Sequence, residues 1–171
     1  TYVVRPDGGV AKLALPLKAQ PAAMVQGQVV VQLSEPWGDV ATGALASFDA
    51  ARAAADRDDL APVVVFAPGP RGSVGNVAAT RDRLVASVYE NVRGQVFRFA
   101  RGADGAWTRE RLRFPDNLST AVTDADVHGE QAFVNVSGFL TPSSVWLVNA
   151  RSGAASAIKS QRPQFDASRD T

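Results

Sequence analysis

Short apolar runs recur along the chain, and most of them are separated by Gly, Pro, Asp or Asn. The runs are four or five residues long and rich in β-branched and aromatic residues; they cover residues 29–33, 63–66, 84–88, 96–99, 132–136 and 145–148. Runs of this length and composition, bounded by turn residues, are typical of β-strands. The pattern therefore predicts an all-β chain.

One segment departs from this pattern. Residues 48–59 are Ala-rich with alternating Arg and Asp, and Asp49 stands where a helix N-cap would be. We predict one short helix there.

The strand-like runs repeat in pairs. The run that begins at Arg83 matches the run that begins at Gln131, and the run at Gln95 matches the run at Ser144, each with an offset of about 48 residues. Such a period lies in the range of β-propeller blades. In this alignment Phe97 and Trp146 are equivalent, and we expect both to be largely buried.

Each repeat divides into four predicted strands, which is the content of one propeller blade. The predicted fold is an incomplete β-propeller of about three and a half four-stranded antiparallel blades with one short helix. Its units are a half blade at 1–16, blades at 21–68, 72–115 and 118–162, and a linker at 163–171. A β-sandwich is the alternative, because it also has short strands at regular spacing.

Several segments resemble the propeller of the prolyl oligopeptidase family of serine peptidases. The most specific is 136–146, which is similar to the hairpin of that family's final blade. Residues 84–99, with Val92-Arg93-Gly94, resemble the preceding blade, and 32–37 followed by 42–45 resemble an earlier one. Residues 164–168 resemble the point where the family's chain leaves the propeller.

This resemblance implies a role beside a catalytic domain. In the family, a propeller caps an α/β-hydrolase domain that holds a Ser-Asp-His triad, cleaves short peptides after proline and is shielded from folded proteins. The expected partners are that hydrolase domain and the peptide substrate of the parent protein. The sequence has no G-x-S-x-G nucleophile elbow, so no catalytic residue of the family can be assigned to any position here.

Composition removes several other functions. The 18 basic and 17 acidic residues leave a net charge of +1 and are scattered, which argues against nucleic-acid binding. No apolar run approaches the roughly 18 residues that span a membrane. The absence of Cys removes disulfides and thiolate chemistry. No cofactor is expected, and the compartment is not determined. The chain opens in mid-pattern without Met, which predicts a segment of a longer protein.

Asp124, Asp126 and His128 are the candidates for a metal site. They alternate, so an extended strand would place two carboxylates and an imidazole on one face, a set that can bind a divalent cation. The alternative is that these residues end a strand and form the turn at Gly129-Glu130, where Asp is favoured for its turn hydrogen bonds.

Two further functions remain open. The chain could be an independent binding module, since propellers bind partners on one face and fold does not dictate function. It could also be a small hydrolase that uses Ser73 or Ser137 with His128, the only histidine. The Gly-rich residues 71–76 could cradle phosphate, but a strand pattern follows them where a helix would be needed.

An incomplete propeller exposes a sheet face at each end. We expect these faces to include Val3, Leu13 and Leu15 at one end, and Phe133, Val145 and Leu147 at the other. Apolar faces of this kind favour association, so self-association through the terminal blades is expected.

Overall fold

A computed structural model describes residues 1–5, 7–139 and 141–162. These residues form fourteen β-strands and one short α-helix, with every strand pair antiparallel. The all-β prediction is thereby confirmed. No helix in these ranges is both long and apolar enough to cross a membrane. The predicted linker at 163–171, with the family-like residues 164–168, lies outside the described residues, as does Leu140 within the hairpin at 136–146.

The chain opens with a two-stranded sheet and continues into the first complete blade. The two-stranded sheet pairs β1 (Tyr2–Val4) with β2 (Val10–Lys12). Blade A then contains β3 (Ala19–Val25), β4 (Gln28–Leu33), β5 (Leu45–Asp49) and β6 (Val63–Phe66), paired in that order.

Two further blades repeat the same order. Blade B contains β7 (Gly72–Ala79), β8 (Arg83–Glu90), β9 (Arg93–Arg101) and β10 (Trp107–Arg111). Blade C contains β11 (Ser119–Ala125), β12 (Gln131–Ser137), β13 (Ser144–Asn149) and β14 (Ala155–Ser160). The first strands of the blades, β3, β7 and β11, lie next to one another along the inner side.

The antiparallel order gives each blade two distinct ends. Chain connections from the second to the third strand of a blade, and from one blade to the next, all lie at the end that we call the loop end. The remaining connections lie at the other end, the turn end. The chain leaves β14 at the loop end, where Gln161 N donates to Ser143 O at 2.9 Å.

Apolar side chains fill the spaces between successive sheets. One cluster joins blade A to blade B around Leu45, Phe66 and Phe99, and another joins blade B to blade C around Val85 and Val134. Strand β8 lies between two neighbours, and Leu84–Val88 are all buried in succession. Burial on both faces explains why this strand is continuously apolar in sequence.

The repeat alignment is confirmed by the strand register. Phe97 pairs with Ala86, and Trp146 pairs with Val134, so the two aromatic residues are equivalent in blades B and C. Both are only partly buried, which corrects the expectation that they are largely buried. Each lies at the edge of an interblade cluster, where Phe97 packs near Phe66 and Trp146 packs near Phe114.

The helix is shorter than the predicted 48–59. It covers Ala50–Ala55, and Asp49 caps it by accepting a hydrogen bond from Arg52 N at 2.8 Å, as the sequence indicated. Phe48 belongs to β5 instead, because it pairs with Val29 and is buried in the cluster beside β1 and β2. Burial of this aromatic ring extends the strand up to the cap.

The face of the two-stranded sheet that points outward was assigned wrongly from sequence. Val3, Leu13 and Leu15 pack against blade A and do not form an open face. The exposed apolar residues are Tyr2, Val4 and Val10. In strands of three residues, a shift of one position exchanges the two faces completely.

Blades B and C approach each other closely at Gly94. Gly94 N donates to Leu118 O at 3.1 Å, and a Cβ at this position would lie 2.7 Å from the same oxygen. At the turn end, Arg151 Nη2 donates to Asp82 Oδ2 and to Glu130 Oε1, and the hydrogen bond to Glu130 raises the pKa of the Arg151 guanidinium. Polar contacts thus join the two blades at both ends of their apolar interface.

We predict that Gly94→Ala destabilises the protein by about 2–4 kcal/mol, because the added methyl group forces two backbones apart. Gly69→Ala is the matched control, since a Cβ there meets nothing within 4 Å. Chemical denaturation of both variants is the measurement. Equal stability of the two variants would contradict a close interblade contact at Gly94.

Candidate functional site

The residues predicted as a metal site, Asp124, Asp126 and His128, lie at the end of β11 and in the turn that follows it. Strand β11 ends at Ala125, and Asp126 Oδ1 then accepts a hydrogen bond from His128 N at 2.9 Å. His128 O accepts from Arg81 Nε at 2.7 Å, which links the turn to blade B. Asp124 Oδ1 accepts from Ala125 N at 2.8 Å. Within the described ranges, no group of three His, Asp or Glu side chains could hold a metal ion.

The candidate serines lie far from the histidine. Ser73 lies at the loop end of β7, and Ser137 lies at the loop end of β12. His128 lies in a connection at the turn end. The length of a seven-residue strand, roughly 20 Å, separates the two ends. The structure therefore does not assemble a Ser–His pair from these residues.

The Gly-rich segment has a packing role. A Cβ on Gly75 would lie 2.6 Å from Ser87 Oγ, and this buried hydroxyl accepts a hydrogen bond from Asn76 N at 2.9 Å. The register of β7 shifts between Val74 and Val77, which marks a β-bulge on the inner strand. Gly75 is thus required by the bulge, and no anion cradle forms there.

A different feature marks the loop end. The three most exposed large apolar side chains of the described residues are Leu17, Val92 and Phe139, which are 89%, 93% and 98% exposed. Leu17 precedes blade A, Val92 lies in the β8–β9 turn of blade B, and Phe139 follows β12 of blade C. All three therefore project at the same end of the molecule. We call this set the loop-end surface.

A cavity of about 460 Å³ lies between two of these side chains. Its wall comes from the β8–β9 turn, the connection between blades B and C, and the start of the β12–β13 loop; the lining residues are Asn91, Val92, Arg93, Asn117, Leu118, Ser119, Ser137, Gly138 and Phe139. It opens widely to solvent, so it is a shallow depression of the loop-end surface.

The floor of the cavity is held by close packing. Leu118 is 6% exposed, and a Cβ on Gly138 would lie 2.5 Å from its Cδ2 atom. On the other side, Leu118 O accepts the hydrogen bond from Gly94. Tyr89 OH donates to Thr120 O at 2.9 Å just behind this floor. The floor is therefore well anchored, while the rim combines the exposed apolar side chains of Val92 and Phe139 with polar residues.

The backbone around the cavity adopts unusual conformations. Asn91, Val92 and Asn117 have φ angles of 49°, 68° and 61°. Asn tolerates this left-handed region, but a β-branched residue such as Val92 is strained in it. Strained residues of this kind concentrate at binding and functional sites.

Sequence reasoning did not identify the loop-end surface. Val92 and Phe139 were noted only as parts of family-like segments, and Leu17 was not singled out. An isolated large apolar residue inside a turn segment, as in Asn91-Val92-Arg93-Gly94, is a signal that was present. Only the three-dimensional arrangement shows that the three residues share one end.

The chain matches known peptidases over nearly its whole length. It is 33% identical over 167 residues to the uncharacterized peptidase y4nA of Sinorhizobium fredii. The match covers 95% of this chain and 23% of that protein. A post-proline cleaving enzyme from Rickettsia typhi has a TM-score of 0.77 at 18% identity, with 92% of this chain and 23% of that chain covered. No family model matches the sequence.

The resemblance to the prolyl oligopeptidase family is confirmed. Oligopeptidase B from Leishmania major adds a TM-score of 0.66 at 12% identity, with 96% of this chain and 23% of that chain covered. The chain thus spans about a quarter of the length of the relatives it matches. Its blades correspond to the propeller-like part of these prolyl oligopeptidases.

We predict that Val92→Gly stabilises the chain by roughly 0.5–1 kcal/mol, because glycine adopts the left-handed conformation without strain. Gly27→Val is the matched reverse change, since Gly27 has a φ of 72° in the β3–β4 turn and its Cβ would meet nothing within 4 Å. It should destabilise by a similar amount. Thermal unfolding measures both, and a destabilised Val92→Gly variant would argue against strain at this turn.

Proposed function

We propose that this chain is the non-catalytic propeller part of a proline-specific serine peptidase. In this proposal an α/β-hydrolase domain docks on the loop end, and the blades restrict access to short peptides. The observation that carries the proposal is the loop-end surface: Leu17, Val92 and Phe139 are the most exposed large apolar side chains described, and they share one end.

The path of the chain supports this choice of end. Strand β14 runs toward the loop end, and residues 161–162 leave the sheet beside the β12–β13 loop. A domain connected there would lie over the same end that carries the three apolar side chains. In this proposal the docked domain gathers these three residues, which lie at one end in separate loops, into a single apolar interface.

The proposed function also explains the hydrogen bonds that join blade B to blade C. Arg81 donates to His128 O, and Arg98 Nη1 donates to Ala150 O at 3.0 Å, so side chains of blade B hold the backbone of blade C. A wall that excludes large substrates has to resist the separation of its blades. These contacts supply directional resistance in addition to apolar burial.

The first test is the coding sequence on either side of this chain. The proposal expects a segment that contains G-x-S-x-G and an α/β-hydrolase pattern after residue 171. A coding sequence that continues without such a segment would favour the alternative, a binding module that uses the same surface for a separate protein.

We predict that the isolated chain does not hydrolyse a chromogenic proline substrate, because it lacks a nucleophile elbow and its only histidine lies in a turn. His128→Ala is the control for any residual rate. Turnover that disappears in this variant would contradict the non-catalytic role.

A second activity prediction concerns the complete peptidase that this chain would belong to. Phe139→Asp should weaken docking, so that the preference for a short peptide over one of about 30 residues falls several-fold, measured as a ratio of kcat/KM. Val127→Asp is the control, because Val127 is also exposed but lies at the turn end. An unchanged ratio for Phe139→Asp would contradict docking at the loop end.

A further inference from the structure

Three arginines at the loop end of blade B have exposed side chains. Arg71 directly precedes β7, Arg93 begins β9, and Arg113 lies two residues after the end of β10. None of the three takes part in the ion pairs formed among the described residues. We call these residues the arginine row.

The acidic residues at the same end of blade B do not neutralise the arginine row. Asp116, in the connection to blade C, binds Arg111 at 3.1 Å. Glu90 lies across the β8–β9 turn from Arg93, and it forms no ion pair within the described ranges. This end of the blade therefore keeps an excess of positive charge.

The turn end of the same interface shows the opposite arrangement. Arg83 Nη1 lies 3.7 Å from Glu130 Oε2, and Arg151 Nη2 contacts Asp82 and Glu130 at 2.7 and 2.9 Å. At that end, the chain itself supplies carboxylates to the guanidinium groups of both blades. The arginine row has no such carboxylates among the described residues.

The spacing of the arginine row makes its charges repel one another. Neighbouring strands lie about 4.8 Å apart, so the row crosses the end of the blade over roughly 15 Å, from the first strand to the fourth. The Debye length is about 10 Å at 0.1 M salt, so adjacent members of the row are only partly screened. A surface that carries carboxylates removes this repulsion and adds charge-assisted hydrogen bonds.

Arg93 connects the arginine row to the loop-end surface. It follows Val92, whose side chain is 93% exposed, and both residues line the cavity between blades B and C together with Phe139. A segment that places an apolar side chain in this cavity brings a neighbouring carboxylate to the Arg93 guanidinium. Arginine binds a carboxylate through two parallel hydrogen bonds, so such a contact also fixes orientation.

We propose that the loop end of blade B binds an acidic surface, whose Asp or Glu side chains pair with Arg71, Arg93 and Arg113. This inference rests on the proposed function, in which the occupant of the loop end is the hydrolase domain. Apolar contacts of the loop-end surface hold that domain on the blades, and the arginine row fixes its position over blade B. Salt screens these ion pairs, so high ionic strength loosens the domain.

Carbodiimide cross-linking of the complete peptidase tests the pairing directly. Arg71→Lys, Arg93→Lys and Arg113→Lys each keep the positive charge and supply an amine that carbodiimide joins to an adjacent carboxylate. The expected product is an amide link from at least one of these positions to an Asp or Glu of the hydrolase domain, identified by mass spectrometry of the digested protein.

Arg57→Lys is the matched control, because Arg57 is also an exposed arginine but lies in the β5–β6 connection at the turn end. It should give no link to the hydrolase domain. Links from the arginine row that reach only Glu90 or other residues of this chain overturn the proposal, as does the absence of any link.

Ionic strength provides a second test on the complete peptidase. Raising NaCl from about 50 mM to about 500 mM should lower the preference for a short peptide over one of about 30 residues several-fold, because screening loosens the domain. Arg93→Glu should show the lowered preference already at the lower salt concentration. Arg57→Glu should behave like the wild type at both concentrations.

Phe139→Asp separates this inference from the proposed function. If Phe139→Asp lowers the length preference while Arg93→Glu and salt leave it unchanged, the domain docks at the loop end without the arginine row, and the inference is wrong. If neither variant changes the preference, docking at the loop end is itself wrong, and the inference fails with it.

Discussion

The apolar faces of the four-stranded sheets pack against neighbouring sheets, and most of the structure follows from this requirement. Blade B meets it fully, since β8 is buried on both sides between blades A and C. The two-stranded sheet meets it for blade A, because Leu13 and its neighbours fill the space beside Phe48. Apolar burial between sheets is the main favourable term, at about 25 cal/mol for each Å² removed from water.

The same requirement explains how much of the fold could be predicted. A strand covered on both faces is apolar at most successive positions, so β8 was visible in the sequence with the correct register. Phe97 and Trp146 could be aligned for this reason, and the pairings with Ala86 and Val134 agree. Their partial burial could not be predicted, because it depends on how far each blade edge reaches past its neighbour.

Short elements were less predictable. β1 and β2 have three residues each, too few for a pattern of period two to reveal which face packs inward. The start of the helix was displaced for a related reason. The segment from Phe48 is helical in composition, but burial of the Phe48 ring against Trp37 and its pairing with Val29 keep it in the sheet. Tertiary contacts override local propensity at both places.

The candidate site could not be predicted from the sequence. Its defining property is that Leu17, Val92 and Phe139 are not covered by other described residues. Val92 and Phe139 lie in turns whose sequence gives no sign that they line the same cavity. Close backbone packing at Gly94 and Gly138 fixes Leu118 between them, and this brings the turns of blades B and C to one cavity. Apolar exposure at strand ends cannot be relieved by adding another blade, since a blade covers only a sheet face. In the proposed arrangement, a domain placed across the ends of several blades would cover Leu17, Val92 and Phe139 at once.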